Sequence, residues 1–272
     1  MMSDISFGQY YPSDSLLHKL DPRFKIVITI LLVVGIFLCN TALSIGFAAF
    51  CAVIFMLLSK VPVLTYLKNT KPLIPIIIFT FVLNLIYVPG EHAIFSFWKI
   101  TLYSEAIQTA VFIAFRIVLL VIITSFLTYT TTPTALTNAI EDLLAWLKVF
   151  KVDVHSIAMM MSIALRFIPT LIDEINKIIN AQKARGADFE SGNVITKLKA
   201  MVPILVPLFI SSFRRAYELA NAMECRCYNG GAGRTKLKTM QVSAKDFLAL
   251  MIVVICFVGF ILLNKIRIGG QF

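Results

Sequence analysis

The sequence predicts an all-α membrane protein with about five transmembrane helices and a cytoplasmic domain of long amphipathic helices. Of its 272 residues, 58% are hydrophobic and only 15% are charged, which lies outside the range of soluble domains. Several uncharged runs are as long as a bilayer is thick, and other segments repeat apolar residues every three or four positions. Ordinary cytosolic, secreted and disordered classes are therefore excluded, because a soluble fold would expose too much apolar surface.

The net charge of +10 would suggest nucleic-acid binding in a soluble protein. Here most Lys and Arg residues lie between or beside apolar runs, so they predict membrane topology and contact with anionic lipid, and no nucleic-acid partner. The cysteines predict neither a disulfide framework nor a metal site, since they are odd in number and form no C-x-x-C pair. They are Cys39, Cys51, Cys225, Cys227 and Cys256.

The first two spans are predicted from one uncharged stretch, 26–59, which is too long for a single span. The turn-like sequence Cys39-Asn40-Thr41 divides it into a helical hairpin. Asp21 and Pro22 supply an N-cap and a first-turn proline, so the first helix is expected from Pro22 to about Leu38. The second is expected over 43–58.

Three further spans are predicted over 72–88, 106–129 and 247–264. Pro89-Gly90 ends the first of these. The last is uncharged throughout, and its length at the helical rise, about 27 Å, matches the hydrocarbon thickness.

Basic residues in the loops predict the orientation. The segment between spans two and three carries three lysines and no acid, and the stretch 131–245 carries fifteen Lys and Arg residues, so both are expected in the cytoplasm. Five spans then place the N-terminus inside and the C-terminus outside, although Lys265 and Arg267 stand against this rule. The predicted domains are 1–130 with four spans, 131–245 in the cytoplasm, and 246–272 with the fifth span.

The predicted cytoplasmic domain holds amphipathic helices over about 133–148, 153–186 and 196–227. The two longer helices have roughly 30 residues and so extend about 45 Å, which is more than a small cap on the bilayer requires. They are long enough to reach from the bilayer to something beneath it.

The two long helices end alike. Both carry Asn-Ala-x-x-x-Arg, and the two arginines, Arg185 and Arg226, each stand just before a glycine-containing break. Each guanidinium is expected to cap a helix C-terminus. Dipole stabilisation alone would explain either arginine, but two similar ends favour a shared binding function.

Four sequence motifs together resemble a known family, the transmembrane coupling (T) component of energy-coupling factor transporters, which are ATP-driven importers of vitamins and some metal ions. The resemblance covers nearly the whole chain and departs at Cys227, where glycine is more usual. The motifs are Gly8-Gln9-Tyr10-Tyr11-Pro12, Leu20-Asp21-Pro22-Arg23-x-Lys25, Ala184-Arg185-Gly186, and Ala222-Met223-Glu224-x-Arg226-x-Tyr228, which leads into Gly233-Arg234-Thr235.

The resemblance implies a subunit of a larger complex in a bacterial-type cell membrane. Its two coupling helices would cross in the cytoplasm and dock on two ABC-type ATPase subunits, and the chain would contact one substrate-binding membrane subunit (S component). It implies no directly bound cofactor, since ATP and Mg would be used by the ATPase partners. The implied coupling residues are Ala184, Arg185, Gly186, Glu224, Arg226 and Tyr228.

Missing motifs agree with a non-enzymatic role. The sequence contains no G-x-x-x-x-G-K-[ST], H-E-x-x-H or G-x-S-x-G, so it predicts no ATP site, metal site or catalytic residue of its own. Two alternatives stay open: the permease of a conventional ABC transporter, which needs its own substrate path, and a membrane enzyme. The cargo, a vitamin or a metal ion, is not encoded in any recognisable residue, and a shared vitamin module is favoured on resemblance.

Two further features are candidate sites. Arg116 is the one charge well inside a span, so it must face other helices, water or backbone carbonyls; a structural role and a role at the substrate-binding subunit are both open, and Asn84 is a possible partner. Met159, Met160 and Met161 lie together on an apolar helix and predict a contact with the substrate-binding subunit, with core packing as the alternative.

Overall fold

The computed structural model describes residues 10–89, 93–97, 100–187, 189, 193–230 and 240–265. These residues are mostly helical, with one short antiparallel hairpin. The elements are α1 (Pro22–Leu38), α2 (Ala42–Ser59), α3 (Val63–Thr70), α4 (Ile74–Tyr87), β1 (Ala93–Phe97), β2 (Ile100–Tyr103), α5 (Ser104–Thr130), α6 (Pro133–Leu143), α7 (Val154–Ala184), α8 (Val194–Cys225) and α9 (Ala244–Lys265). Two 3-10 helices, Lys71–Leu73 and Leu144–Phe150, connect α3 to α4 and extend α6.

The chain divides into two units. The first, here called the bundle, includes residues 10–136 and 240–265; the second, the amphipathic unit, includes the described residues from 137 to 230. The motif residues Gly8 and Gln9 and the glycine-rich stretch 231–239 lie outside the described residues. The limits of the predicted cytoplasmic domain, 131 and 245, are derived from the charges of the loops and stay predictions.

The predicted helical hairpin at the start of the bundle is confirmed. The Asp21 carboxylate accepts a hydrogen bond from the Arg23 backbone N–H (2.9 Å), with Pro22 as the first helical residue. Thr41 and Ser44 form a capping box that begins α2, so both helix starts satisfy amides that have no partner within the helix.

The helix of the third span begins earlier than predicted. α3, the 3-10 turn and α4 form one helical path from Val63 to Tyr87, whereas the prediction began at Pro72. Pro72 lies in the first turn of the 3-10 helix. A 3-10 segment changes the hydrogen-bond register, so a proline there does not break the path.

Five described helical stretches are long and apolar enough to cross a membrane by length and composition: α2, the path from Val63 to Tyr87, α5, α7 and α9. The first predicted span, α1, has 17 residues, about 25 Å of helix, which is at the short end of the spanning range. α7 belongs to this set although its second half carries Asp173, Glu174, Lys177 and Lys183.

The core of the bundle forms around α1. Ile28, Leu32 and Ile36 are fully buried and recur every fourth residue, so they lie on one face of the helix. They belong to one hydrophobic cluster with residues of α2, α5 and α9, such as Cys51, Leu119, Ile123, Val253 and Phe260. One face of α1 is therefore buried in the bundle, while Ile30, Val34 and Phe37 on its other side are exposed.

α1 and α9 run parallel and are joined at both ends. At their starts, the Asp21 backbone N–H donates to Asp246 Oδ1 (2.8 Å). At their far ends, Asn264 Nδ2 donates to the Leu38 carbonyl (2.7 Å), and Asn264 Oδ1 accepts from the Asn40 N–H (2.9 Å). The two helices therefore point in the same direction.

α5 runs antiparallel to α1. Near the start of α1, Lys25 is 1% exposed and its ammonium donates to the Thr130 carbonyl at the end of α5 (2.9 Å). Near the end of α1, Arg116 donates to the Cys39 carbonyl. The directions of α1, α5 and α9 are those that five alternating spans require, while the identity of the cytoplasmic face stays a prediction.

Candidate functional site

The amphipathic unit contains the two longest helices, α7 with 31 residues and α8 with 32. The predicted ranges, 153–186 and 196–227, differ from these helices by one or two residues at each end. Asp153 caps α7 by accepting a hydrogen bond from the Ser156 backbone N–H (3.1 Å). Hydrogen bonds from the Ser156 hydroxyl and N–H hold the pKa of the Asp153 carboxyl below its ordinary value, because they stabilise its charged form.

α7 and α8 pack as an antiparallel pair. Arg215 on α8 donates to the Glu174 carboxylate on α7, and Gln182 Nε2 donates to the Pro203 carbonyl (3.4 Å). The second contact lies later on α7 but earlier on α8, so the helices run in opposite directions. Their C-terminal ends therefore lie at opposite ends of the pair.

The end of α7 is closed by backbone amides. The Gly186 N–H donates to the Lys183 carbonyl and the Ala187 N–H to the Gln182 carbonyl, both at 3.0 Å. Gly186 has φ +85°, the left-handed conformation that glycine tolerates best. This is a Schellman motif with Arg185 at the C-cap position.

The end of α8 has the same motif. The Cys227 N–H donates to the Glu224 carbonyl (2.8 Å) and the Tyr228 N–H to the Met223 carbonyl (3.0 Å). Cys227 has φ +57° and so occupies the position that Gly186 takes in α7. Arg226 is the C-cap residue, which makes the two helix ends equivalent in backbone structure.

These ends leave both arginine side chains available to bind something else. Arg185 and Arg226 are exposed, and among the residues that the structure describes neither guanidinium has an ion-pair partner. Among the described residues the guanidinium groups form no hydrogen bond to the last-turn carbonyls, several of which bond backbone N–H groups instead. Stabilisation of the helix ends through the dipole stays a prediction. Ala184 and Glu224 beside them are also exposed, and Tyr228 is half-buried.

The methionine cluster lies on the first half of α7. Met160 is 59% exposed and Met161 41%, while Met159 is half-buried. Two of the three side chains are therefore accessible, although the predicted contact with a partner stays a prediction.

Arg116 binds the end of α1 within the bundle. Its guanidinium donates to the Cys39 carbonyl and lies 3.4 Å from Asn40 Oδ1, and it stands 4.9 Å from the Phe112 ring centroid. A cation at this place stabilises the negative end of the α1 dipole. Asn84 is not its partner in the structure, because the Asn84 amide donates to the Thr80 carbonyl of its own helix (2.8 Å).

The sequence interpretation missed the ion pair between Glu174 and Arg215. A signal was available, since the interval from Glu174 to Arg215 in the sequence equals the interval from Arg185 to Arg226. Equal intervals mean that the pair lies equally far from both helix ends. Amphipathic periodicity could not identify it, because the helices carry other charges at neighbouring positions.

Fold and site together define a class: a multi-pass α-helical membrane protein with a paired-helix unit that presents two equivalent arginine ends. The model of the CbiQ family, described as cobalt transport protein, matches residues 13–237. The chain belongs to this family, whose similar curated members are transmembrane proteins of energy-coupling factor transporters.

Three relatives show how far the similarity extends. The energy-coupling factor transporter transmembrane protein of Ruminiclostridium cellulolyticum is 49% identical over 98% of this chain and 99% of its own length. The protein of that name from Clostridium kluyveri is 49% identical over 94% of this chain and 96% of its own. The protein of that name from Lactococcus lactis is 43% identical over 97% of this chain and 100% of its own length.

Proposed function

We propose that the chain is the coupling subunit of an energy-coupling factor importer, and that it passes the motion of two ATPase subunits through Arg185 and Arg226 to a substrate-binding membrane subunit. The observation that carries the proposal is the pair of equivalent helix ends. Each presents an exposed arginine at the C-cap position, without an ion pair to any residue in the described part of the chain. Membership in a transporter family supports the proposal.

Arginine suits a joint that must transmit force. Its planar guanidinium can hold a carboxylate through two parallel hydrogen bonds, and its charge is permanent. Because the two helix ends lie at opposite ends of an antiparallel pair, each can meet a different ATPase. ATP and Mg are used by those subunits, and this chain contributes no catalytic group.

The cargo is chosen by the substrate-binding subunit. This fits a module shared by several such subunits, each specific for one vitamin, although a metal ion is also a cargo of this transporter class. The exposed methionines of α7 are the proposed contact, since flexible thioether side chains adapt to different surfaces. Photocrosslinking from position 160 should capture the substrate-binding subunit; crosslinks that never reach it, in any nucleotide state, would exclude this contact.

The proposed location is the cell membrane, with the N-terminus and the amphipathic unit in the cytoplasm. The fifteen basic residues of the segment 131–245 support this side through the positive-inside rule. The ATPases and their nucleotide are found on the same side.

Charge reversal at the helix ends tests the proposal. The double variant Arg185→Glu, Arg226→Glu should replace attraction by repulsion, with a loss of several kcal/mol at a desolvated interface. We expect normal membrane insertion but loss of nearly all ATP-dependent uptake and most ATPase co-purification. Arg→Lys should be intermediate, because the charge remains but the bidentate geometry is lost.

Lys177→Glu and Arg214→Glu are matched controls, since both residues are exposed charges on the same helices and away from the ends. They should keep uptake near the wild-type value. If the arginines served only the helix dipole, Arg→Lys would be almost silent and Arg→Glu would cost about 0.3 to 1 kcal/mol. Near-normal uptake by the double variant at wild-type expression would refute the coupling function.

A further inference from the structure

The ion pair between Glu174 and Arg215 is a half-buried charged contact between the amphipathic helices α7 and α8. The Glu174 side chain is 25% exposed and the Arg215 side chain 35%, whereas the adjacent Asp173 and Arg214 are exposed. Partial burial strengthens the interaction compared with a surface pair. A charge-assisted hydrogen bond is also directional, so it fixes the relative position of two helices that apolar contacts alone would let slide.

The ion pair stands at equal distances from the two helix ends. The interval from Glu174 to Arg185 on α7 equals the interval from Arg215 to Arg226 on α8. At the helical rise each interval extends about 16 Å along its helix, or about three turns. Because α7 and α8 are antiparallel, these two segments extend from the ion pair in opposite directions.

Both of these segments are free of proline. The prolines of α7 and α8 are Pro169, Pro203 and Pro207, and all three precede the ion pair along their helices. Proline removes a backbone hydrogen bond and allows kinking. The stretches that lead from the ion pair to the arginines therefore keep complete helical hydrogen bonding and are the stiffer parts of the two helices.

We propose that Glu174 and Arg215 are positioning residues that form the pivot of the pair, so that a displacement of one arginine end is matched by a displacement of the other. This inference rests on the proposed function and deepens it. The ion pair lies equally far from both ends. Because the two segments from the ion pair to the arginines are equally long and stiff, two ATPases can act on the chain symmetrically.

Charge reversal and exchange test the pivot. Glu174→Arg and Arg215→Glu should each keep ATPase co-purification and ATP hydrolysis, because the helix ends are intact, while uptake per ATP hydrolysed falls by about tenfold, within the usual range of coupling energies. The exchanged variant, Glu174→Arg with Arg215→Glu, should recover most of the loss. Asp173→Arg and Arg214→Glu are matched controls with the same charge changes one residue away, and they should couple normally.

A distance measurement gives a readout that does not depend on the ATPases. Spin labels at positions 184 and 224, with Cys225 and Cys227 replaced by serine, should give one narrow distance distribution. Either single reversal should broaden it, and the exchange should narrow it again. If the control variants Asp173→Arg and Arg214→Glu broaden the distance distribution as much as the single reversals at 174 and 215, the ion pair does not position the two helices.

The outcomes separate the pivot from the coupling function. Normal uptake per ATP and an unchanged distance distribution in both single variants overturn the pivot and leave the coupling function intact. If a single variant does not fold, the exchanged variant decides the question. An exchanged variant that folds but does not recover uptake per ATP hydrolysed also overturns the pivot. The coupling function itself is refuted only if the double variant Arg185→Glu, Arg226→Glu keeps its uptake.

Discussion

Cys227 has a left-handed backbone conformation at the place where α7 has Gly186. For a residue with a Cβ this conformation costs about 1 to 2 kcal/mol, and α8 supports it through the same two amide hydrogen bonds that close α7. The requirement for glycine is therefore a preference and not an absolute need. This explains how the second helix end keeps its geometry despite departing from the usual motif.

Substitutions at these two positions should have opposite effects. Cys227→Gly should stabilise the end of α8 by about 1 kcal/mol, and Gly186→Ala should destabilise the end of α7 by a similar amount. A Cβ at position 186 meets no atom within 4 Å, so the cost would come from the backbone alone. Amide hydrogen exchange at positions 227 and 186 measures both. Equal protection in wild type and variants would contradict the assigned conformations.

At the scale of elements, the junction of α1 and α9 depends on one buried carboxylate. Asp246 is 1% exposed; its Oδ1 accepts from the Asp21 N–H and its Oδ2 from the Ser243 N–H (2.7 Å). It thus closes the first turn of α9 and attaches that helix to the start of α1. The Lys25 ammonium attracts the carboxylates of Asp21 and Asp246 and so compensates part of their negative charge.

Asp246→Asn should weaken this junction. The amide keeps one acceptor but turns an NH₂ group toward a backbone donor, so we expect a loss of about 2 kcal/mol in the free energy of unfolding. Denaturation of the purified protein in mild detergent measures it. Lys245→Ala is the control, since Lys245 is the exposed neighbour. Equal stability of Asp246→Asn and wild type would show that the two hydrogen bonds contribute nothing.

At the scale of the whole molecule, the chain combines a bundle whose helices are tied at their ends with a unit whose apolar side chains remain exposed. In the bundle, α1 is held by α5 and α9 through Lys25, Arg116, Asp246 and Asn264. In α8, large side chains such as Leu205, Phe209 and Phe213 are more than half exposed. Large exposed apolar surfaces of this kind are typical of proteins that act within assemblies.

Thiol labelling tests the orientation and the docking together. Cys225 and Cys227 beside Arg226 are exposed, whereas Cys39 and Cys51 are buried. A membrane-impermeant maleimide should label the exposed pair in inside-out vesicles and not in right-side-out vesicles. Bound ATPases should protect this pair from the reagent.

A Cys225→Ser, Cys227→Ser variant is the control and should show almost no labelling. Labelling from the outer face alone would reverse the predicted topology. Labelling at the same rate with and without the ATPases would mean that this helix end is not their docking site.

The sequence by itself determined the features that depend on neighbouring residues. The helical hairpin, the capped start at Asp21, and the two long helices ending at Arg185 and Arg226 follow from apolar periodicity and from capping signals within a few positions. The sequence does not reveal the early start of the third span, because a proline such as Pro72 is typical of a helix start, whereas here it lies in a 3-10 turn within the helical path.

Only the tertiary structure decided which elements meet. Arg116 could have turned to Asn84, and the structure places it on the end of α1 instead; a role at a partner protein stays a prediction. Likewise Glu174 contacts Arg215 on another helix, and that contact, together with the one between Gln182 and Pro203, shows the two long helices to be antiparallel. The physical reason is that hydrogen bonding and periodicity act over one or two helical turns. The choice among distant partners depends on how whole helices pack, which local sequence does not specify.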